Sequence, residues 1–243
     1  MYTDRRERVW AELASELHRR TPHTVLDFGC GDGYWLRRVH QLGNSYELVG
    51  YDISPTMLRS AQRRVPEAHF TDSWERQPIT KYDVVYCIAV LAHITREAEL
   101  RRALADIEAV LADGAVFIAF EQTGPVERGG GDAPWIRRTL ATYEELGSES
   151  GLKLTRCVFL RYRVHRIYER HFLPVLIRFV KGRHAEERAL RANNKALLLW
   201  LSRLAVKLSG DPLSGDPGRD EGNTLMFFEK AATTKDEVRR ATT

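Results

Sequence analysis

The glycine-rich segment after the first apolar stretch carries the clearest chemistry of this chain. Residues 25–33 predict a buried strand that enters a turn containing Gly29, Gly31 and Gly33. Alternating glycines permit sharp backbone turns and let a ligand lie directly against the chain. Asp52 stands nineteen residues after Gly33, at the end of a second strand-like run, where a carboxylate can accept both hydroxyls of a ribose. The pattern predicts a site for a cofactor that contains adenosine.

Charge and spacing indicate which cofactor. A dinucleotide turn needs its third glycine at the position of Tyr34, and a Walker loop needs Gly-Lys-Ser/Thr, which does not follow here. Asp27 and Asp32 flank the turn, and two carboxylates would repel a pyrophosphate but suit a ligand carrying an ammonium and a sulfonium. With Asp27 before it and Asp52 after it, the turn resembles the first motif of the class I S-adenosylmethionine-dependent methyltransferases.

That resemblance extends over about residues 5–230 and implies roles for individual positions. The methionine end of S-adenosylmethionine would be held by Asp27, Gly29, Gly31 and Gly33, and its ammonium by the backbone at Cys87. The ribose would be held by Asp52. The adenine ring would lie against Ile53, and its amino group would bond to Asp72-Ser73. It also implies a Rossmann-like, doubly wound α/β sheet of seven strands, with the last strand antiparallel between the fifth and sixth. Alternating apolar strands and amphipathic helices favour the same fold class.

Candidate catalytic residues follow the fourth and fifth predicted strands. His93 lies in Val90-Leu91-Ala92-His93-Ile94, which matches a segment that borders the acceptor pocket in the family. We expect it to serve as a general base for a hydroxyl acceptor, or else as a structural histidine bonded to nearby backbone. Glu121 ends the fifth strand and is expected to share the base role or to orient the acceptor.

Further residues are expected to contact the acceptor or to lie on plain surface. An aromatic side chain beside arginines suits a sugar, a phosphate or a carboxylate. The candidates are Trp135, Arg137, Arg138 and His165. No clustered Asp, Glu or His pattern indicates a metal site, so none is expected.

The chain organisation departs from the family near its end. We expect a methyltransferase domain at 1–160 and 223–230, a basic helical insertion at 161–210, a loop at 211–222 and a disordered tail at 231–243. The insertion holds 12 Lys or Arg against 3 Asp or Glu, whereas the rest of the chain holds 25 against 30. The basic charge therefore belongs to one segment, which is expected to meet an anionic partner or simply to face solvent.

The insertion also carries an apolar helical stripe that ends near Trp200. Basic amphipathic helices bind anionic membrane surfaces, so residues 164–208 are expected to make a peripheral membrane contact, a core contact or a homodimer contact. Three widely spaced cysteines, and no signal peptide or spanning stretch, favour a cytoplasmic protein, at most peripheral to the inner face of the membrane.

The predicted function is methyl transfer from S-adenosylmethionine, yielding S-adenosylhomocysteine, to a hydroxyl of a sugar, a glycan or another small polar acceptor. Polysaccharide biosynthesis is the expected setting. Two alternatives stay open, namely RNA or small-molecule N-methylation and a cofactor-binding scaffold without catalysis. Nucleic acid is not the expected partner, because aromatic residues for base stacking are sparse in the basic insertion and no Asn-Pro-Pro-Tyr-type motif follows the fourth strand.

Overall fold

The computed structural model describes residues 2–43, 46–160, 216–217 and 219–231. The predicted helical insertion, half of the loop after it and nearly all of the tail lie outside these residues. In chain order the elements are α1 (Tyr2–Arg20), β1 (Thr24–Phe28), α2 (Tyr34–His40), β2 (Glu47–Tyr51), α3 (Pro55–Arg64), β3 (His69–Thr71), β4 (Tyr82–Ile88), α4 (Glu97–Val110), β5 (Leu111–Thr123), β6 (Arg128–Gly129), β7 (Ile136–Arg137), α5 (Leu140–Glu149), β8 (Leu152–Leu160) and β9 (Gly222–Lys230).

Seven of the described strands form one sheet in the order β3-β2-β1-β4-β5-β9-β8. The first five strands pair in parallel, and β9 runs antiparallel to both β5 and β8. The predicted Rossmann-like sheet, with its last strand between the fifth and sixth, is confirmed. The chain winds outward from β1 in one direction and from β4 in the other, so the crevice at their carboxyl ends is the expected ligand position.

Alternating side chains of the central strands feed two hydrophobic cores, one on each face of the sheet. Val84 and Tyr86 of β4 join the core that α1, α2 and α3 cover, whereas Val85 and Cys87 join the core under α4 and α5. All four side chains are fully buried. A strand with helices on both faces must be apolar at consecutive positions, which explains the run of apolar residues that follows Asp83 in β4.

Local signals explain where two of the helices begin. Ser54 caps α3, with its Oγ accepting from the Met57 N–H at 3.4 Å, and proline follows at the first helical position. Thr139 caps α5 in the same way, through a 3.0 Å bond from the Thr142 N–H. Because of that cap, α5 begins at Leu140.

The glycine-rich stretch after β5 contains a short hairpin that the sequence does not predict. Residues Arg128–Gly129 and Ile136–Arg137 pair as a short antiparallel hairpin. Three consecutive glycines with positive φ, of which Gly129 has 92°, reverse the chain between the two strands. Only two residues on each side pair, which is too short a stretch to show alternation in the sequence. The hairpin brings Pro134, which lies between its strands, close to the residues that follow β4.

Candidate active site

The three glycines of the turn after β1 do different work. A Cβ on Gly29 would lie 2.5 Å from Cγ2 of Val90, and one on Gly33 would lie 3.0 Å from the Cα of Ala61 in α3. Both positions therefore allow close packing of protein against protein. A Cβ on Gly31, where φ is 54°, would meet nothing within 4 Å. The middle glycine leaves open space beside the backbone, which is the cradle that a ligand lying on the turn requires.

Asp52 joins the glycine turn to the start of α3. Its Oδ2 accepts from the Gly31 N–H at 2.8 Å and its Oδ1 accepts from the Ser54 N–H at 2.9 Å. Each carboxylate oxygen can accept a second hydrogen bond. The position at the end of β2 is the one predicted for a ribose ligand, and the remaining lone pairs leave that prediction chemically open.

Asp27 is buried beneath the turn with an unsatisfied carboxyl group. The residue is 1% exposed, and its Oδ2 has no hydrogen-bond partner among the described residues. Burial raises the pKa of Asp27 well above its usual value, and the Asp52 carboxylate raises it further, while the nearby Tyr86 hydroxyl lowers it. A buried acceptor without a partner calls for one. A cationic group reaching into this corner, such as an ammonium, would supply it.

Asp32 was expected to favour a cationic ligand by its charge, but its side chain also has a structural role. Its Oδ1 accepts from the Tyr34 N–H at 3.2 Å, and its Oδ2 lies 2.8 Å from Nη2 of Arg64. The side chain therefore bonds the first N–H of α2, and Arg64 offsets its charge.

The residues predicted to meet the adenine lie after β2 and β3 at the same edge of the sheet. Ile53 is 81% exposed, which leaves apolar surface free beside Asp52. Asp72 is exposed and its Oδ1 accepts from Nη2 of Arg76 at 3.2 Å, while the Ser73 Oγ donates to Glu75 at 2.9 Å. Ile53 thus offers a face for an adenine ring, whereas Asp72 and Ser73 already have partners at this surface.

The chain leaves β4 through a strained residue. Cys87 is fully buried and pairs with Ala119 of β5, and two residues later Ala89 has a φ of 59°. An alanine in this left-handed region is destabilised by roughly 1 kcal/mol. The Ala89 N–H still donates to the Phe120 carbonyl at 2.8 Å, so the neighbouring strand holds the conformation. Such strain is typical of functional sites, and here it directs the chain into a 3₁₀ turn at Leu91–His93, the His93 turn.

His93 lies exposed on this turn with its ring oriented by one backbone carbonyl. The Nδ1 atom lies 3.1 Å from the carbonyl oxygen of Pro134, between the strands of the β6–β7 hairpin. A carbonyl can only accept, so a neutral ring carries its proton on Nδ1 and keeps a lone pair on Nε2. Among the described residues, no hydrogen bond to Nε2 is formed. A histidine held in this tautomer is equipped to act as a general base.

The structure corrects the expectation that Glu121 shares the base role. Its side chain is 1% exposed. Oε1 accepts from the N–H groups of Val90 and Leu91 at 2.8 and 2.6 Å, and Oε2 accepts from Ala92 at 3.3 Å. Burial raises the pKa of Glu121 to about 7, against the lowering effect of these backbone bonds. Both oxygens are committed to the backbone, so Glu121 cannot reach an acceptor.

The side chains of Arg137 and Arg138 are also buried and bound to other groups of the protein, contrary to the expected acceptor contact. Arg138 is 2% exposed and donates to the carbonyls of Leu91 and Ile94 at 3.0 and 2.6 Å. Arg137 is 9% exposed and pairs with Glu221 at 3.2 Å.

Trp135 is the member of the predicted acceptor set that stays open to solvent. The residue is 43% exposed and follows Pro134 directly. It therefore lies next to the His93 contact. His165, the remaining member of the set, lies outside the described residues.

Sequence reasoning missed two partners of the site. The Pro134 carbonyl fixes the His93 ring, and Tyr86 lies beside Asp27. A backbone carbonyl has no residue signature, so no sequence signal could have identified Pro134. Tyr86 could have been noticed as a hydroxyl-bearing side chain between Val85 and Cys87 of β4.

The described residues contain neither a metal cluster nor a membrane-spanning helix. No group of three or more metal-ligating side chains occurs in that part of the chain. Within the same residues, no helix is long and apolar enough to cross a bilayer.

Comparison with known proteins agrees with the fold and the glycine turn. A family model described as a methyltransferase domain matches residues 26–117. The O-methyltransferase of a trans-AT PKS multienzyme from Brevibacillus brevis, solved with S-adenosyl-L-homocysteine, superposes with a TM-score of 0.58 at 17% identity, covering 86% of this chain and 67% of that one. The fold is that of the class I methyltransferases.

Two curated proteins match over shorter segments. Trans-aconitate 2-methyltransferase of Methylobacterium radiotolerans is 32% identical over 118 residues, which cover 48% of this chain and 44% of that protein. The dTDP-3-amino-3,6-dideoxy-alpha-D-glucopyranose N,N-dimethyltransferase of Streptomyces fradiae is 33% identical over 138 residues, covering 49% and 53%. The chain thus spans about half the length of these curated relatives. Residues 26–117 therefore match a methyltransferase domain, and the fold is shared with solved methyltransferases.

Proposed function

We propose that this chain transfers a methyl group from S-adenosylmethionine to an oxygen of a small polar acceptor, with a sugar or glycan hydroxyl as the favoured class. One observation carries the choice of oxygen, namely the 3.1 Å contact between Nδ1 of His93 and the Pro134 carbonyl. That contact leaves Nε2 as an exposed lone pair at the carboxyl end of β4. A hydroxyl acceptor needs such a base, because its proton must leave as the new bond forms.

The residues of the turn fit the cofactor. Asp27 would hold the ammonium group, because its buried Oδ2 has no partner among the described residues. The open space at Gly31 would receive the methionine portion, and Asp52 would hold the ribose through its unused lone pairs. Bound S-adenosylmethionine supplies a methyl group already activated on a sulfonium.

The protein's part in the reaction is alignment and proton removal. His93 would take the acceptor's hydroxyl proton on Nε2 while the acceptor oxygen bonds to the methyl carbon and the carbon–sulfur bond breaks. Nδ1 keeps its own proton on the Pro134 carbonyl, which stabilises the imidazolium that results. A positioned base of this kind contributes about 10²–10⁴-fold to the rate.

An amine acceptor is the second candidate. The Streptomyces relative, whose printed name specifies N,N-dimethylation of an amino sugar, supports it. A neutral amine attacks through its own lone pair and needs no proton removed beforehand. The two candidates therefore differ in how strongly they depend on His93.

The cellular setting is proposed from sequence alone. The basic segment at 164–208, with its apolar stripe, supports a docking role at an anionic membrane surface bearing a glycan acceptor, or a homodimer contact, in a cytoplasmic protein. These residues lie outside the described part of the chain.

The test begins with calorimetric titration of S-adenosylhomocysteine into the full chain. Transfer of labelled methyl is then measured into matched panels of hydroxy and amino sugars, with wild type, His93→Gln and a control variant. His40→Gln is the control, because His40 lies exposed at the far end of α2 beside Glu67.

Label in hydroxy acceptors that falls at least 100-fold in His93→Gln, with cofactor affinity unchanged, supports O-methylation. Label confined to amino acceptors and retained in His93→Gln replaces that proposal with N-methylation. Intact cofactor binding without transfer into either panel or into fractionated cell extract would overturn the proposed activity.

A further inference from the structure

The His93 turn has no capping side chain of its own. Residues 90–94 are Val-Leu-Ala-His-Ile, and neither end of the turn has a side-chain cap from within the segment. A short 3₁₀ turn leaves backbone N–H groups at its start and carbonyls at its end that need partners. The conformation of the turn must therefore be imposed by groups from elsewhere in the fold.

Glu121 satisfies the start of the turn. Its two carboxylate oxygens accept the N–H groups of Val90, Leu91 and Ala92. A carboxylate at this end also complements the partial positive charge of the exposed N–H groups. Hydrogen bonds to an ionised acceptor are stronger than neutral ones, and this carboxylate is buried.

Arg138 satisfies the end of the turn. Its Nη1 donates to the Leu91 carbonyl at 3.0 Å and its Nη2 donates to the Ile94 carbonyl at 2.6 Å. A parallel backbone bridge between Thr123 and Arg138 holds the residue beside β5, close to Glu121. A carboxylate and a guanidinium thus form hydrogen bonds with opposite ends of the same turn.

Other titratable groups face Glu121 from two further elements. Cys87 of β4 and Tyr143 of α5 both feel its charge, and burial raises the pKa of each well above its usual value. Both groups are therefore uncharged near neutral pH. Among the described residues, Arg138 is the charged group that interacts with the Glu121 carboxylate from a packed neighbour.

We propose that Glu121 and Arg138 form a buried clamp that positions the His93 turn for methyl transfer. The inference rests on the proposed function in that His93 is the base. Neither clamp residue touches the acceptor, so both are positioning residues. The clamp acts together with the Pro134 carbonyl: the clamp sets where the turn lies, and Pro134 sets how the ring is rotated within it.

The test compares wild type with Glu121→Gln and Arg138→Lys in the full chain. Gln keeps an oxygen for Val90 and Leu91 but turns an N–H₂ towards Ala92 and leaves Arg138 without its countercharge. Lys keeps the charge but cannot donate to two carbonyls from a planar fork. Glu97→Gln is the matched control, because Glu97 pairs with Arg101 on the exposed surface of α4.

The first readout is amide hydrogen exchange at Val90, Leu91 and Ala92, which requires no activity. We expect exchange at these amides to accelerate at least tenfold in Glu121→Gln and Arg138→Lys, relative to amides of β1 in the same sample. In Glu97→Gln it should stay at the wild-type rate. This readout tests the clamp even if the wild type transfers no methyl group and the proposed function fails.

The second readout is steady-state kinetics across pH. We expect kcat to fall at least tenfold in both clamp variants, with the affinity for S-adenosylhomocysteine within twofold of wild type. In Glu121→Gln, the pH profile of kcat should also lack the step that titration of the Glu121 carboxyl causes in wild type. Unchanged exchange at residues 90–92, or a fall in thermal stability with kcat preserved, would overturn the clamp and leave Glu121 and Arg138 as ordinary stabilising residues.

Discussion

Gly29 of the cofactor turn and Val90 of the segment after β4 are in direct contact. The backbone of Gly29 comes so close to the valine that a Cβ there would lie 2.5 Å from Cγ2 and 2.8 Å from Cγ1. The same Val90 donates its N–H to Glu121. The turn that would hold the methyl donor and the turn that carries the candidate base are therefore packed against each other.

Gly29→Ala is expected to disturb both turns, because the added methyl must displace Val90 and φ at position 29 is 77°. We expect S-adenosylhomocysteine affinity to fall at least tenfold and the free energy of unfolding to fall by about 1–3 kcal/mol. Calorimetric titration and urea unfolding measure the two effects. The double variant Gly29→Ala/Val90→Ala should recover part of both, and failure to recover would show that Val90 is not the obstacle.

Gly31→Ala should separate binding from stability. The added methyl has room, because no other atom lies within 4 Å of the position that a Cβ on Gly31 would take. The left-handed φ of 54° should reduce the free energy of unfolding by only about 1 kcal/mol. Because the methyl would occupy the proposed ligand cradle, we expect S-adenosylhomocysteine affinity to fall at least tenfold. Unchanged affinity in a calorimetric titration would place the ligand away from this glycine.

Asp27→Asn should stabilise the ligand-free protein at neutral pH while abolishing cofactor affinity. Burial raises the folded-state pKa of Asp27 above the ordinary value of 3.8. Stability from the protonated carboxyl is therefore complete below that value and is lost as pH rises through the folded-state pKa. Urea unfolding from pH 4 to pH 8 should show this loss in wild type and a flatter profile in Asp27→Asn. Matching profiles would contradict the buried, protonated carboxyl.

The raised pKa of Glu121 should give the free energy of unfolding a second pH-dependent component. Its pKa is raised from 4.5 to about 7 in the folded state. The stabilisation is complete below about 4.5 and lost as pH rises through about 7, a change on the order of 3 kcal/mol. Urea unfolding of Glu121→Gln should lack this component, and the exposed control Glu97→Gln should retain it. Parallel pH profiles for wild type and Glu121→Gln would show that Glu121 stays ionised throughout.

Trp135→Ala tests the acceptor side of the site. The indole is 43% exposed and stands next to the Pro134 carbonyl that orients His93. We expect the KM for the acceptor to rise roughly tenfold, with S-adenosylhomocysteine affinity unchanged, because stacking surface for a sugar is lost. Val126→Ala, at another exposed apolar side chain before the same hairpin, is the matched control. Equal effects of the two variants would argue for a general disturbance of the hairpin.

Much of the fold was predictable because its signals are local. The strand β4 is marked by consecutive apolar residues such as Val84 and Val85, since a strand buried on both faces needs no distant information. The β6–β7 hairpin was missed because its pairing depends on three glycines turning the chain rather than on a periodic pattern.

The glycine turn, Asp52 at the end of β2 and His93 after β4 could be located without the fold. Each depends on one residue's own backbone conformation or on its position at a strand end. The roles of Glu121 and Arg138 became visible only in the folded chain. Both were expected to face the acceptor, and both bind backbone atoms of residues 90–94 instead. Hydrogen bonds act over about 3 Å, so a side chain's role depends on which distant backbone groups folding brings within that reach.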